Sequence, residues 1–299
     1  MKDNYLPFLF EQWLIDKKGL AESTVYVYRH CVQTYLLNNP NTNDLESYNR
    51  FIIEHAVKKR SNHYYSALKN FIEFHVEDKA TRTQLIEGLI LPPIRKNYIR
   101  ERRYLSETQI FNVINSLKHE KHRVIALIQT LTGIRAGDIL RLKKPDGIMP
   151  EKYDNKEVLR LNVIGKGQKR IVVFIHDVIG QQVIMKYITN NHNHDNYYFL
   201  ELSRIPHRRQ NISNENKLLK MNYMRYWHDL KSALYSNKIQ HKDFSTHDFR
   251  RCFARRAWEK FKDIHVLQGL LNHSNPATTL RYLEQSGMKN IDYLYEMQQ

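Results

Sequence analysis

The chain has 299 residues, enough for two modest domains, because hydrophobic cores usually stop growing at about 100 to 200 residues. Its 47 Lys and Arg against 31 Asp and Glu give a formal net charge of +16, which favours nucleic acid as the main partner. The sequence has no apolar run near the roughly 20 residues that span a bilayer and no secretory signal segment. We therefore expect a soluble intracellular protein without a membrane partner. Cys31 and Cys252 are too few and too far apart to predict disulfides or a zinc cluster.

The first ninety residues carry apolar side chains at helical spacing in four successive stretches, which predicts a bundle of four short helices. Ser23 is expected to cap the second helix. The apolar positions are Leu6, Phe10, Trp13 and Leu14; Val25, Tyr28, Val32, Tyr35 and Leu36; Leu45, Tyr48, Ile52 and Ala56; and Tyr64, Ala67, Leu68 and Phe71. Core packing explains these stripes.

Paired prolines at Pro92 and Pro93 oppose helix, and residues 94–103 then carry five Lys or Arg with one Glu. This composition predicts a helical DNA-binding domain at residues 1–90, a basic linker at 91–104 and a second domain at 105–299. Ser106 and Gln109 have the spacing of a capping box, so a helix is expected to begin there.

Between residues 157 and 175 the apolar period changes to two, which predicts a β-hairpin around Gly165-Lys166-Gly167-Gln168. Residues 190–217 are rich in Asn, His and Arg, and they are expected to form an exposed excursion. We interpret His192 and His194 as solvated loop residues, because no third metal ligand is evident near them.

Two motifs place a basic side chain at or beside a predicted turn. Gly133 can end an apolar helix, and Arg135 and Asp138 then lie three residues apart, so the carboxylate can orient the guanidinium. Lys166 lies between two glycines at the hairpin tip, where its ammonium can approach a leaving oxygen. Taken singly, these motifs are explained by an ordinary surface ion pair and a solvated turn, and they gain weight only from their companions.

Two further motifs lie near expected helix starts. His247 and Arg250 project from the first turn after a Ser-Thr cap, where both can face one anion. Pro276 suits the first position of another helix, which places Tyr282 nearly two turns further along. A chance His-x-x-Arg and a packing tyrosine are the ordinary alternatives.

In order and spacing, these motifs together resemble the tyrosine recombinase and phage integrase family. The family pattern is a Thr-Gly-x-Arg-x-x-acid box, a Gly-Lys-Gly hairpin, a His-x-x-Arg box, a Leu-x-His-Ser box and Thr-Thr-x-x-Tyr. The resemblance covers nearly the whole chain, since a helical domain and basic linker also precede these boxes in the family. Arg251, Phe249, Asp138 and Asn272 stand where the family more often has His, Leu, Glu and Gly. The catalytic residues that the resemblance implies are Arg135, Lys166, His247, Arg250, His273 and Tyr282, supported by Asp138.

These residues suit phosphodiester exchange. The two arginines could clamp the nonbridging phosphate oxygens, and Lys166 could protonate the leaving 5′ oxygen. Tyr282 would be the nucleophile. A free phenol has a pKa of about 10, so attack at neutral pH needs a base, and His247 is the first choice for it. We expect no metal and no other cofactor.

The resemblance implies a mainly α fold with a small β-sheet, in which a core-binding (SAM-like) bundle and a catalytic domain form a C-shaped clamp on double-stranded DNA. It implies a site-specific recombinase that forms a 3′-phosphotyrosine at Tyr282 and acts as a homotetramer on paired sites through a Holliday junction. Accessory directionality proteins would be further partners, and the cytoplasmic nucleoid would be its location. Residues 283–299 are expected either to dock on a neighbouring subunit or to pack on their own domain.

Phosphate contacts are expected from basic residues of the bundle and linker, although such contacts position a protein without specifying sequence. A type IB topoisomerase, a telomere resolvase and a noncatalytic DNA-binding protein on the same fold are the alternatives, and the separate helical bundle favours recombination. Because the chain begins at this bundle, we expect no additional arm-binding domain. The expected phosphate contacts are Arg29, Lys58, Arg60, Lys69, Arg95, Lys96, Arg100, Arg102 and Arg103.

Overall fold

A computed structural model of the chain divides it into two compact units, residues 1–99 and 100–299, which are described separately. The side chains of residues 23, 56–59, 215–217 and 281–284 lie outside the description. The described residues are 5–39, 44–59, 62–91, 105–165, 169–190, 196–200, 215–240, 244–273 and 275–284.

The described part of the first unit is helical, and the stripes expected from the sequence form its core. Phe10, Val32, Tyr48 and Leu68 are fully buried in one apolar cluster. Burial of such side chains is the main force that holds a small bundle together. Its helices are α1 (Leu6–Asp16), α2 (Glu22–Asn38), α3 (Leu45–Lys59), α4 (His63–His75) and α5 (Lys79–Gly88).

Two predictions for this unit are wrong. A fifth helix, α5, follows the four expected ones, and the Asp78 carboxylate caps it by accepting the Thr81 N–H at 2.7 Å. This helix buries Leu85 and otherwise presents mostly polar residues, so it leaves little periodic signal. In addition, α2 begins at Glu22 rather than after Ser23, and an acidic residue at that position is favoured by the helix dipole.

The second unit combines helices with one three-stranded antiparallel sheet in the order β1-β2-β3, which confirms a mainly α fold with a small β-sheet. Ser106 and Gln109 form the expected capping box at the start of α6. Among the described helices of the chain, none combines the length and apolar character needed to cross a membrane. The elements are α6 (Glu107–Asn115), α7 (Glu120–Thr132), α8 (Ala136–Leu140), β1 (Ile148–Tyr153), β2 (Lys156–Ile164), β3 (Arg170–Ile175), α9 (Val178–Asn190), α10 (Glu215–Ser236), α11 (Thr246–Phe261), α12 (Ile264–Leu271) and α13 (Pro276–Glu284).

The expected hairpin is present as β2 and β3, in which Leu161 lies opposite Val173. Strand β1 was not expected, because its sequence contains Pro150 and ends in charged and aromatic residues that do not alternate clearly. Its register sets Ile148 opposite Leu161, and both side chains are buried. Lys166, which the sequence predicts at the hairpin tip, lies outside the described residues.

The prediction that residues 190–217 form an exposed excursion is wrong for residues 197–200. Tyr197, Tyr198, Phe199 and Leu200 are buried in the core of the second unit, and the Tyr198 N–H donates to the carbonyl of Leu142 at 3.2 Å. Four consecutive apolar side chains show no period, so they resemble a loop in a pattern search although they pack as core. His192 and His194 lie outside the described residues.

The turn after α7 depends on Gly133, which ends the helix with φ +70° and ψ 7°. Residues other than glycine are strained in this left-handed conformation. A Cβ atom here would also lie 2.5 Å from Cδ1 of Phe253. The backbone of this turn therefore has a fixed course into the Arg135 segment.

We expect Gly133→Ala to lower the free energy of unfolding by about 1–3 kcal/mol, through backbone strain and displacement of the Phe253 ring. Gly269→Ala is the matched control, because its Cβ would meet nothing within 4 Å in α12 and should stabilise by about 0.5–1 kcal/mol. Urea unfolding of both variants measures the difference. Equal stabilities of the two variants would contradict the strain at Gly133.

Candidate active site

Arg250 is buried in the first turn of α11, and its guanidinium joins three separate segments. Nη1 donates to the carbonyl of Gly133 at 2.7 Å. Nη2 donates to the carbonyl of Leu271 at 2.5 Å and lies 3.1 Å from Nε2 of His273. The turn after α7, the start of α11 and the end of α12 are thus fixed relative to one another by one side chain.

The contacts of His273 define its tautomer. A guanidinium can only donate hydrogen bonds, so Nε2 of His273 accepts from Arg250 and Nδ1 carries the ring proton. That proton is donated to Oγ1 of Thr279 at 2.9 Å. Burial, aided by the charges of Arg250 and Arg135, lowers the pKa of His273 to about 4. The ring is therefore neutral at physiological pH, with both nitrogens engaged.

Arg135 lies directly before α8, and Asp138 lies within this helix. Nη1 of Arg135 is 3.7 Å from Oδ2 of Asp138, and Arg141 approaches the other carboxylate oxygen at 3.6 Å. Burial raises the pKa of Asp138, whereas the charges of Arg135, Arg141 and Arg250 lower it. The Asp138 side chain is buried while 40% of the Arg135 side chain is exposed, so the carboxylate can orient a guanidinium that still reaches solvent.

His247 is exposed in the first turn of α11, three residues before Arg250. Partial desolvation is the largest cause that lowers the pKa of His247, and the charges of Arg251, Arg250 and Arg135 lower it further. The electrostatic influence of Arg135 on both His247 and His273 indicates that these side chains lie in one charged site.

The departure at Arg251 from the commoner histidine has a local explanation. Nη1 of Arg251 donates to Oδ1 of buried Asp248 at 2.5 Å. The other oxygen of Asp248 accepts the backbone N–H of Ser245 at 2.6 Å and its hydroxyl at 2.7 Å. Arg251 thus belongs to the capping arrangement that begins α11, and it adds positive charge beside His247.

Sequence reasoning missed three residues that hold the start of α11. Nε2 of buried Gln129 donates to the carbonyl of Thr246 at 2.9 Å, and the hydroxyl of Tyr226 donates to Oε1 of Gln129 at 2.9 Å. The hydroxyls of Tyr223 and Thr246 lie 2.8 Å apart. A glutamine within the apolar run of α7 was the available signal, because a buried amide needs partners.

Five of the expected site residues lie in this arrangement: Arg135, Asp138, His247, Arg250 and His273. Tyr282 lies in α13, three residues after Thr279, and its side chain lies outside the description, as does Lys166.

Most of the residues expected to contact phosphate lie outside the described part of the chain. Nη1 of Arg29 donates to Oε2 of Glu11 at 2.5 Å within the bundle, and Lys69 is partly buried on α4. The ion pair of Arg29 reduces its availability to a phosphate. The residues outside the description are Lys58 (its side chain), Arg60, Arg95, Lys96, Arg100, Arg102 and Arg103.

Comparisons with known proteins place this arrangement in a family. The profile of the phage integrase family matches residues 103–287. Tyrosine recombinase XerD of Yersinia pestis is 25% identical over 290 residues, which cover 92% of this chain and 90% of that protein. Tyrosine recombinase XerA of Thermococcus kodakarensis is 27% identical over 278 residues, covering 91% and 88%.

A solved structure of the XerH site-specific recombinase bound to difH substrate, a pre-cleavage complex, has the same fold. Its TM-score is 0.62 at 14% identity, and the match covers 96% of this chain and 84% of that one. Because the family profile spans more than half of the sequence, the chain belongs to the phage integrase family. It is an enzyme of the tyrosine recombinase class, and the resemblance inferred from its motifs is confirmed.

The neutral state of His273 predicts a pH dependence of stability. An unfolded histidine takes up a proton near pH 6.5, whereas His273 in the folded chain does so only near pH 4. The unfolded state therefore binds more protons in this window, and the free energy of unfolding should fall as the pH drops from 6.5 towards 4. Urea unfolding across this range should give a shallower slope for His273→Gln. Equal slopes would contradict the depressed pKa.

Thr279→Val should leave the buried Nδ1–H of His273 without its acceptor and destabilise the fold by about 1–3 kcal/mol. Thr278→Val is a matched control, because this half-buried neighbour does not contact His273 in the described hydrogen bonds and should change stability by less than about 0.5 kcal/mol. Denaturant midpoints give both values. A loss for Thr279→Val no larger than that for Thr278→Val would contradict the hydrogen bond from Nδ1 of His273.

Proposed function

We propose that the chain is a site-specific DNA recombinase that cleaves and rejoins strands through a 3′-phosphotyrosine at Tyr282. The observation that carries this proposal is the buried Arg250, held by Gly133, Leu271 and His273 beside the Arg135–Asp138 pair. Two guanidiniums and two neutral imidazoles match the charge of a phosphodiester that gains negative charge in its transition state.

The two arginines would stabilise the nonbridging oxygens of the phosphate. Arg250 is fixed by short contacts, so it needs little reorganisation when a phosphate enters. Arg135 is partly exposed and oriented by Asp138, and it would meet the phosphate from the solvent side. The pair thus combines one rigid donor with one accessible donor.

Tyr282 would supply the nucleophile. It follows Thr279 by three residues in α13, one turn further along the helix that contacts His273. Its oxygen would form a bond to phosphorus while the bond from phosphorus to the 5′ oxygen breaks, and Lys166 would give that oxygen a proton. The free 5′ hydroxyl of another strand then attacks the phosphotyrosine and restores the phenol, so no nucleotide is consumed.

His247 is the better base for the tyrosine proton. His273 has both ring nitrogens engaged, by Arg250 and by Thr279. The lowered pKa of His247 keeps its ring neutral near pH 7, and a neutral imidazole can accept a proton. We therefore assign His273 to positioning Arg250, and His247 to proton transfer.

Double-stranded DNA is the proposed partner. The formal charge of +16 supports binding to a polyanion. The similar XerH structure is described as a complex with difH substrate. We further propose a homotetramer on paired sites that exchanges strands through a Holliday junction, with residues 283–299 docking on a neighbouring subunit. In this proposal, residues 1–90 form a helical DNA-binding domain, residues 91–104 a linker and residues 105–299 a catalytic domain.

Tyr282→Phe tests the nucleophile, because it removes the attacking oxygen and leaves the ring. We expect DNA binding within about twofold of the original chain but no covalent adduct. The probes are nicked duplexes made from the genomic DNA that flanks the gene, which trap the adduct for peptide mass spectrometry. Tyr235→Phe is the control, because this tyrosine of α10 is 86% exposed and lies outside the site, so the variant should keep adduct formation.

An adduct on Tyr293 or Tyr295, or one that persists in Tyr282→Phe, would overturn the assignment. Two copies of the mapped cleavage site on one plasmid then distinguish recombination from relaxation. Exchange of the flanking segments supports the recombinase, and relaxation without exchange points to the topoisomerase alternative.

A further inference from the structure

A second polar cluster lies in the catalytic unit, on α10 and at the start of α7, and the proposed reaction does not use it. It lines a cavity of about 430 Å³. Three histidines and one carboxylate are among the lining residues: His119, His122, His228 and Asp229. The sequence gives no hint of this cluster, because His122 and Asp229 are 107 positions apart.

The geometry of Asp229 fixes the ring of His122. Oδ2 of Asp229 lies 2.7 Å from Nδ1 of His122, and the carboxylate also accepts the backbone N–H groups of Lys118 and His119 at 3.1 and 3.2 Å. With these donors around it, the carboxylate acts as an acceptor, so Nδ1 of His122 carries the ring proton.

The other ring nitrogen of His122, Nε2, then carries a lone pair and lies in the protein interior. Only 3% of the residue is exposed, and Nε2 has no hydrogen-bond partner among the described residues. A buried acceptor without a partner is costly, and such groups usually have a ligand, water or ion as their partner.

We propose that this cluster binds a divalent transition-metal ion of the zinc class through Nε2 of His122 and a ring nitrogen of His119. Ligand atoms of His119, His122 and Asp229 all lie within 4.8 Å of one another, so a small rotation of the His119 side chain would bring its ring to an ion held by His122 beside Asp229. A metal-binding histidine commonly donates its second N–H to a carboxylate, which is the role of Asp229 here. His228, on the same cavity, offers a third imidazole.

The ligand atoms around the cavity distinguish between kinds of ion. Lys118, Lys121 and Arg225 also line it, and Lys121 donates to Asn222 at 3.0 Å. Their positive charge opposes every divalent cation, and the single carboxylate of the lining offers too few oxygen ligands for a hard cation such as Mg²⁺. Imidazole ligands favour zinc, nickel or copper instead. An anion would suit the basic residues, but it would face the Nε2 lone pair and the Asp229 carboxylate.

The site would connect to the start of α11 through packed side chains. The His122 ring lies 5.4 Å from the Tyr226 ring, and Tyr226 bonds Gln129, which in turn bonds the carbonyl of Thr246. An ion at His122 would hold α7 and α10 together at the base of this network. We therefore expect the ion to stabilise the folded chain rather than to take part in phosphoryl transfer.

The test uses the full-length chain after treatment with a chelator. Titration with zinc chloride should show saturable binding of one ion and a rise in the melting temperature, and magnesium chloride should give neither. His119→Ala changes an exposed residue and should weaken zinc binding by at least about tenfold. His265→Ala, an exposed histidine of α12, is the matched control and should leave the affinity unchanged.

Substitution of His122 or Asp229 could unfold the chain, so the second measurement uses the unaltered protein. Nitrogen-15 spectra of the histidine rings should show the Nε2 resonance of His122 moving when zinc is added. Zinc binding that is equal in His119→Ala and the original chain, or an unmoved His122 resonance, would overturn the proposal. Absence of any rise in the melting temperature with zinc would also overturn it, whatever phosphate does at Arg135 and Arg250.

Discussion

The site depends above all on the buried guanidinium of Arg250. Its bonds to Gly133, Leu271 and His273 connect segments that are 117 and 21 residues from it along the chain. A buried cation is costly unless fixed dipoles or charges surround it, and two of these partners are backbone carbonyls whose direction the local turns determine. Rigid turns at both carbonyls are thus a condition for a preorganised phosphate site.

The same interaction determines the state of the neighbouring histidine. Because Arg250 can only donate, His273 must accept at Nε2 and donate its Nδ1–H to the hydroxyl of Thr279, which belongs to α13. One guanidinium therefore specifies a tautomer and, through it, a contact with the helix that carries Tyr282. Burial is the main cause of the low pKa of His273, and this arrangement adds to it, since a protonated ring would face Arg250 with two positive charges in contact.

The sequence predicted the parts of the fold whose signals are local. The capping box at Ser106, the β2–β3 hairpin and the helix beginning after Ser245 depend on residues close in the chain, and the structure confirms them. Helix α5 and the buried segment 197–200 were missed, because neither shows a period.

Polar contacts across long sequence distances were also missed. The Arg, His and acid positions of the site were found by family resemblance, since no single motif was specific. By contrast, the bonds of Gln129 to Thr246 and of His122 to Asp229 span 117 and 107 residues and leave no pattern in sequence. Only the folded chain shows that these side chains are partners, because their complementarity is created by the packing of α7 against its neighbours.

The turn at Asn272 has a backbone conformation that suits asparagine in place of the family's commoner glycine. Asn272 adopts φ 48° and ψ 47°, a conformation that asparagine tolerates better than other residues with a side chain. This turn directs the Leu271 carbonyl towards Arg250 and delivers His273 one residue later. A relative with valine here would retain every polar residue of the site and still misdirect two of the contacts that organise it. Backbone conformation at an uncharged position is thus a criterion for a complete site of this class, beside the charged residues themselves.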